Sequence, residues 1–351
     1  MPFFNTMGQC NPQAHYLLPV TAYLDKDRVC RLIEQESYFL LHAPRQAGKT
    51  TAAFELAREL TSSGKYVAAV VSMKAAAGIE DDVEAAEVAL LNDWRQALQG
   101  QLPDEFQPPS WSGRTKGILI SSALGEWAKS LPRPLVVFLD DADAMQDWPL
   151  ISVLSQIRSA FTHRPESFPA AMALIGVREL SDYQVSDGVP HPVSFFNIIA
   201  AALTMNEFSL QSIAELYQQH TSATGQAFCE EAAQRVYDLT HGQPQLVNAL
   251  ARLAVEEIVP DKRLAITRDA IDLAKERLIA RPGPWLDWLI KLLSERRISQ
   301  ALKSLMAGKQ LYEISIEDVL LATDLGLLRR ERNGGFVISN QIYREVIVLT
   351  I

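Results

Sequence analysis

One stretch of the chain has the residue types and spacing needed to bind a phosphate group. An apolar run from Ser37 to His42 leads into the pattern Ala-x-x-x-x-Gly-Lys-Thr, and a helical pattern follows. In such loops backbone N–H groups point at a phosphate, the lysine reaches the outer phosphates, and the hydroxyl beside it ligates Mg²⁺. The helix adds the positive end of its dipole. The residues predicted to hold a nucleotide are Ala43, Pro44, Arg45, Gln46, Ala47, Gly48, Lys49, Thr50 and Thr51.

The same short pattern also arises by chance in surface loops, so its context decides its meaning. Here the preceding run is of strand type. The helical pattern ends at Ser62-Ser63-Gly64, before a second strand-like run from Tyr66 to Ser72. This order of strand, loop, helix and strand favours a phosphate site, with Lys49 as the phosphate ligand and Thr50 as a metal ligand.

Two carboxylates follow a later apolar run. Residues 134–139 form the continuous apolar segment expected of a central parallel strand, and Asp140 and Asp141 come directly after it. Because Mg²⁺ on phosphates needs a nearby carboxylate, Asp140 is the predicted metal ligand. Asp141 is the candidate to orient and deprotonate an attacking water, with a side chain shorter than the usual glutamate. The alternative is that both are turn residues.

Length and composition indicate a globular protein of several domains. A chain of 351 residues predicts two or three domains, and 48% apolar and 21% charged residues are typical of soluble proteins. A net charge of −9 argues against a generally basic nucleic-acid binder. Cys10, Cys30 and Cys229 are isolated, which suggests neither disulfides nor a zinc site. Without a targeting or membrane-spanning pattern, we expect a cytoplasmic protein with no membrane partner.

The chain divides into three predicted domains. Strand and helix patterns alternate through residues 1–208, which predicts a doubly wound parallel sheet of the α/β class preceded by an entry segment. Residues 209–283 have only helical spacing, which indicates a helical lid. Residues 284–351 contain three helical patterns and the hairpin turn Asn333-Gly334-Gly335, which together predict a winged helix. The predicted helices cover residues 21–34, 78–101, 118–131, 150–161, 210–219, 230–239, 244–255, 267–279, 285–293, 299–306 and 316–325.

The order of these motifs resembles one branch of the P-loop ATPases. The phosphate loop, the Asp140-Asp141 strand, Arg178 after the next strand and the Gly242-Gln243-Pro244 turn resemble the STAND-like and archaeal-type branch of AAA+ proteins, which is related to origin-recognition initiators. Essentially the whole chain is similar to a widespread bacterial group of AAA-like ATP-binding proteins. The segments that carry this similarity are Phe4-Asn5-Thr6, His15-Tyr16, residues 43–46, residues 173–176 and residues 342–347.

The resemblance implies ATP or ADP as ligand, Mg²⁺ as cofactor, and roles for four residues outside the loop. Arg178 would sense the γ-phosphate, and its alternative is a surface arginine. Pro244 would offer a rigid apolar face to adenine, or would simply begin a helix. Tyr16, with His15, would stack on or hydrogen-bond the base, or would be an exposed loop residue.

Two departures from ring-forming AAA+ motors indicate slow hydrolysis. Residues 181–197 contain no lysine or arginine where motors usually carry a trans-acting arginine, and the lid lacks its usual arginine unless Arg252 serves. Without a trans cation, charge developing on the γ-phosphate is poorly neutralised. We therefore predict an ATP-binding, slowly hydrolysing regulatory ATPase that acts as a switch on an unknown protein partner or through self-association.

A second hypothesis is an ATP-controlled DNA-binding initiator or transposition-type adaptor. In this interpretation the winged helix binds nucleic acid, and Arg329, Arg330 and Arg332 contact phosphates. Acidic residues nearby almost balance these arginines, which weakens the hypothesis. A nucleotide kinase is disfavoured because such an enzyme needs neither a helical lid nor a winged helix.

Overall fold

A computed structural model describes residues 1–111, 117–176, 197–281, 283–308, 313–331 and 334–350. The chain divides into two compact units. The first, called the sheet unit, contains Asp25–Ala43 and Lys49–Met205. The second, called the helical unit, contains Met1–Leu24, Pro44–Gly48 and Asn206–Ile351. Among the described residues, no helix combines the length and apolar composition needed to cross a bilayer.

Among the residues that the structure describes, the sheet unit has five parallel strands in the order β2-β3-β4-β1-β5. This confirms the predicted parallel sheet. Since parallel strands end at the same edge, Ser72 pairs with Asp140, and His42 pairs with Gly176, at the carboxyl edge. The strands are β1 (Tyr38–His42), β2 (Val67–Ser72), β3 (Leu135–Asp140), β4 (Ala171–Gly176) and β5 (Ile199–Thr204).

The strand β5 was not expected from the sequence. Its residues alternate between partly buried and exposed positions, and it lies at the edge of the sheet beside β1. The inner strands are buried along nearly their whole length, which explains their continuous apolar sequences. Their side chains pack in one core with two tryptophans that are fully shielded from solvent, Trp94 and Trp127.

In the described part of the sheet unit, five α-helices accompany the sheet, and polar caps define where two of them begin. The side chain of Asp25 accepts from the Arg28 N–H, and that of Asp82 accepts from the Ala85 N–H. Such caps satisfy N–H groups that lack an intrahelical partner. The helices predicted from residues 21 and 78 therefore begin later, at residues 26 and 83. The five are α1 (Lys26–Glu34), α2 (Lys49–Ser62), α3 (Val83–Gln99), α4 (Leu119–Ser130) and α5 (Asp147–Ala160).

The described part of the helical unit consists mainly of helices, at positions close to those predicted. An antiparallel hairpin confirms the two strand-like runs around residue 334, and the last helix was not predicted. The helices are α6 (Leu210–Thr224), α7 (Glu230–Thr240), α8 (Pro244–Leu253), α9 (Arg268–Ala280), α10 (Pro284–Leu293), α11 (Arg296–Met306), α12 (Ile316–Asp324) and α13 (Gln341–Thr350). The hairpin strands are β6 (Leu328–Arg330) and β7 (Phe336–Ile338).

The first 24 residues belong to the helical unit, whereas the sequence analysis placed them with the sheet. The Leu17 N–H donates to Gln219 Oε1 over 3.1 Å, and Gln219 Nε2 donates back to the Leu17 carbonyl over 2.9 Å. Phe4 lies edge-on to Tyr217, with ring centroids 5.6 Å apart. Burial of aromatic surface against α6 explains this placement.

One buried carboxylate links three helices of the sheet unit. Glu87 on α3 is fully buried and accepts hydrogen bonds from the Gly117 N–H and from Gln156 Nε2 on α5. Gln156 Oε1 in turn accepts from the Ile120 N–H, in the first turn of α4. The Glu87 side chain therefore joins α3, α4 and α5.

Replacing this carboxylate should destabilise the fold. Glu87→Ala leaves a buried amide and a backbone N–H without their acceptor, which costs about 2–3 kcal/mol in the free energy of unfolding. Urea titration followed by circular dichroism measures this loss. Glu84→Ala, at an exposed position of the same helix, is the control. Equal stability of the two variants would contradict the structural role assigned to Glu87.

Candidate phosphate-binding site

The loop between β1 and α2 curls back on itself. Gln46 and Gly48 both have positive φ angles, 62° and 90°, and the Ala47 N–H donates to the Pro44 carbonyl over 3.4 Å. The helix α2 begins directly afterwards at Lys49. The order of strand, loop and helix predicted around the motif is therefore present, and the positive end of the α2 dipole follows the loop.

Three predicted site residues come together in the sheet unit. Lys49 Nζ donates to the carbonyl oxygen of Ala43 over 2.6 Å. The neighbouring hydroxyl, Thr50 Oγ1, donates to Asp140 Oδ2, also over 2.6 Å. The positive charge of Lys49 also acts on the Asp140 carboxylate. A cation, a hydroxyl and a carboxylate thus meet where β1 and β3 end.

Asp140 is an unusually buried carboxylate. It is 3% exposed, and burial raises the pKa of its carboxyl group above the ordinary value. The Thr50 hydrogen bond, the Asp141 N–H and the Lys49 charge act in the opposite direction by favouring the ionised form. A buried carboxylate held by these groups is arranged to interact with a cation.

Asp141 adopts a backbone conformation that few non-glycine residues use. Its φ and ψ angles are 56° and 38°, in the left-handed region, at a cost of about 1 kcal/mol. The Asp141 N–H donates to Asp140 Oδ1 over 3.0 Å, and Asp141 Oδ2 accepts from Ser72 Oγ over 2.9 Å. These bonds fix the direction of the Asp141 carboxylate.

Ser72 is a site residue that the sequence analysis missed. It ends β2, and its partner in the register of the sheet is Asp140. Its hydroxyl accepts from the Lys74 N–H over 3.1 Å while donating to Asp141. The available signal was a hydroxyl at the carboxyl end of an apolar strand. The sequence alone does not show that β2 lies beside β3, so it does not identify Ser72 as a neighbour of Asp141.

The oxygen atoms near Lys49 are suited to Mg²⁺ that is also bound by phosphate and water. They are less suited to a metal ion whose ligands all come from the protein. Among the described residues, no group of three or more His, Cys, Asp and Glu side chains could hold a metal ion. Magnesium commonly takes one or two protein oxygens and completes its octahedron with phosphate oxygens and water. Thr50 Oγ1 and Asp140 Oδ2 are such a pair, so the residues present fit the ion.

Two other residues predicted to contact the nucleotide, Thr51 and Tyr16, are buried. Thr51, in the first turn of α2, is 8% exposed, so its side chain packs inside the protein. Tyr16 is 4% exposed in the helical unit, where its ring lies 4.8 Å from that of Phe4 and its hydroxyl is 3.2 Å from His220 Nδ1. Protein groups therefore surround the Tyr16 ring, and its contact with the base stays a prediction.

The Gly242-Gln243-Pro244 turn lies in the helical unit between α7 and α8. Gly242 has a φ of +81°, and a Cβ there would lie 2.0 Å from the carbonyl oxygen of Phe208, so only glycine fits. Pro244 is buried as the first residue of α8, and Gln243 Oε1 caps that helix by accepting from the Leu246 N–H. Helix initiation accounts for these contacts, and the adenine role stays a prediction.

The sequence offers two arginines, Arg178 and Arg252, as candidate cations for the site. Arg178 lies outside the described residues. Arg252 on α8 binds Glu256 Oε2 over 3.0 Å and Thr6 Oγ1 over 3.1 Å. Its guanidinium also lies 5.8 Å from the ring centroid of Phe3. Arg252 is therefore engaged inside the helical unit.

Two solved structures are similar to this chain along almost its full length. The Walker-type ATPase PABY2304 of Pyrococcus abyssi aligns with a TM-score of 0.64 and 13% identity, over 98% of this chain and 99% of that one. The ORC2 protein of Aeropyrum pernix, solved in ADPNP and ADP complexes, aligns with a TM-score of 0.57 and 11% identity, over 92% and 93%. The chain has this P-loop ATPase fold. No protein-family model and no curated protein matches the sequence.

The hydrogen bond from Thr50 to Asp140 should be detectable through its effect on the pKa of Asp140. Thr50→Val removes the hydroxyl that favours the ionised carboxylate, so the pKa of Asp140 should rise further above its ordinary value. A ¹³C NMR titration of the aspartate carboxyl groups measures this change. Thr51→Val, one residue later, should leave the Asp140 titration as in the wild type. A fall in the Asp140 pKa in Thr50→Val would contradict the geometry.

Proposed function

We propose that this protein binds ATP with Mg²⁺ and hydrolyses it slowly, as a nucleotide-dependent switch of the AAA+ type and of its STAND-like branch. The observation that carries the proposal is the hydrogen bond between Thr50 and Asp140, beside Lys49. It places a hydroxyl and a carboxylate, the two oxygen groups that such ATPases use around Mg²⁺, at the end of a phosphate-type loop. The fold shared with a Walker-type ATPase supports the same conclusion.

Each residue of the site has a proposed role. Lys49 neutralises charge on the β- and γ-phosphates, and the loop N–H groups bind the phosphate oxygens. Thr50 and Asp140 hold Mg²⁺, which when bound balances further phosphate charge. Asp141 orients the attacking water and accepts its proton, and Ser72 holds the Asp141 carboxylate in place.

Slow turnover in this proposal has two causes, the short side chain of the general base and the lack of a trans-acting cation. Asp141 has one methylene fewer than glutamate, which lengthens the reach to the water. The sequence of residues 181–197 offers no lysine or arginine as a trans-acting cation. Because such a cation accelerates phosphoryl transfer by orders of magnitude, its lack favours a long-lived ATP state, as a switch requires.

The output of the switch is proposed to be a protein contact. In this proposal α6–α9 form the lid, and α10–α12 with the β6–β7 hairpin form a winged helix. The helix before the hairpin, α12, carries Glu317, Asp318 and Asp324 and no lysine or arginine. Glu317 and Asp318 pair with Arg297 of α11, so α12 offers phosphates no cation of its own, which supports a protein partner or self-association over DNA.

The ATP assignment is tested at the loop lysine. Lys49→Ala should weaken ATP binding by about a hundredfold or more, since a charge-assisted contact to two phosphates is lost. Isothermal calorimetry measures the affinity, and circular dichroism checks the fold. Lys65→Ala, at an exposed lysine, should bind ATP as the wild type does. Unchanged affinity in Lys49→Ala would reject the phosphate site.

Substitutions of Asp140 and Asp141 should have different effects, because the two carboxylates have different proposed roles. Asp141→Asn should keep Mg-ATP binding and lose turnover by about a hundredfold, because the amide cannot accept the proton. Asp140→Asn should instead reduce the dependence of ATP binding on Mg²⁺. Phosphate release and calorimetry with and without Mg²⁺ measure these effects. Wild-type turnover in Asp141→Asn would exclude Asp141 as the base.

A further inference from the structure

Two residues of the phosphate-binding loop contact the C-terminal segment, defined here as residues 283–350. Both the loop residues Pro44–Gly48 and this segment belong to the helical unit. The guanidinium carbon of Arg45 lies 5.5 Å from the ring centroid of Trp288 on α10, within the range of a cation–π interaction. The neighbouring loop residue, Pro44, faces Gly326 beyond the end of α12.

The contact between Pro44 and Gly326 leaves no free space. Gly326 has a φ of +78°, and a Cβ at that position would lie 2.7 Å from Pro44 Cβ and 3.3 Å from Pro44 Cγ. Real side chains do not approach so closely. The proline ring therefore packs directly on the backbone of Gly326.

Gly326 is itself held in place by its surroundings. The Gly326 N–H donates to the Thr323 carbonyl over 2.8 Å, and its own carbonyl accepts from Ser339 Oγ over 2.6 Å. The first bond ends α12, and the second joins the turn to the end of the hairpin. A backbone fixed on both sides is a firm surface against which a loop can be positioned.

We propose that the C-terminal segment positions the phosphate-binding loop, with Gly326 and Trp288 as positioning residues. The inference rests on the proposed function, because it concerns the same loop. Because the ring of Pro44 fixes its φ angle, a displacement of Pro44 also displaces the backbone of the loop that follows. The contact of Pro44 with Gly326 and that of Arg45 with Trp288 together define the position and direction of the backbone at the start of the loop.

The coupling is reciprocal. If the C-terminal segment changes the affinity of the loop for nucleotide, bound nucleotide must stabilise the contact with the segment by the same free energy. The segment proposed to carry the output is then linked to the nucleotide through Pro44 and Arg45. This link needs no residue of the segment to touch the nucleotide.

The chain contains a matched pair of glycines for the test. Gly308 also has a φ of +78° and also follows a helix of the segment, but nothing lies within 4 Å of a Cβ built there. Gly326→Ala and Gly308→Ala therefore share the cost of a left-handed alanine. Only Gly326→Ala adds a collision with Pro44. Gly326→Ala should weaken ATP binding by about tenfold relative to Gly308→Ala, in line with the cost of overpacking.

A second measurement is independent of nucleotide. Hydrogen exchange of the free protein should be faster for the amides of residues 45–48 in Gly326→Ala than in Gly308→Ala, because the loop loses its support. In a Pro44→Gly background the colliding atoms are gone. Adding Gly326→Ala there should then change ATP affinity no more than adding Gly308→Ala does.

The outcomes separate this inference from the proposed function. Equal ATP affinity and equal loop exchange in the two glycine variants would overturn the positioning role, even if the wild type binds ATP. Failure of the wild type to bind ATP would reject the proposed function, and the exchange comparison would still test the contact. If Gly326→Ala does not fold, recovery of the fold in Pro44→Gly/Gly326→Ala supports the contact, and no recovery contradicts it.

Discussion

The candidate site depends on the parallel direction of the strands in the sheet. Because β1, β2 and β3 all end at one edge, groups far apart in sequence meet there without a dedicated scaffold. The bond from Thr50 to Asp140 joins residues 90 positions apart. The same edge places Ser72 against Asp141 and leaves Asp140 buried, where its charge is costly unless a cation or a hydrogen bond compensates.

The sequence predicted the parts of this arrangement that depend on local pattern. Continuous apolar runs indicated β1, β3 and β4, because an inner parallel strand is covered on both faces. The edge strand β5 lacks such a run, since half of its residues face away from the core. The apolar period alone predicts helix starts that are too early where an aspartate caps the helix, as Asp25 and Asp82 do.

Contacts between distant segments had no local signal to predict them. Ser72 is an ordinary strand end in the sequence, and its neighbour Asp141 is 69 positions away. The packing of Pro44 on Gly326 joins residues that are separated in the sequence by β2, β3, β4 and β5. The family resemblance predicts a ligand contact for Tyr16, but it does not predict the burial of this side chain against α6. Residue type and spacing identify chemistry, but packing decides which groups are available for it.

The placement of the first residues in the helical unit has a consequence for how the chain is made. The bonds between Leu17 and Gln219 close a loop of 202 positions that contains the sheet unit. At translation speeds of about 5–20 residues per second, the partner helix leaves the ribosome about 10–40 seconds after the N-terminal segment. During that interval Phe4 and Tyr16 have no partners from α6, so the sheet unit has time to form before the helical unit closes.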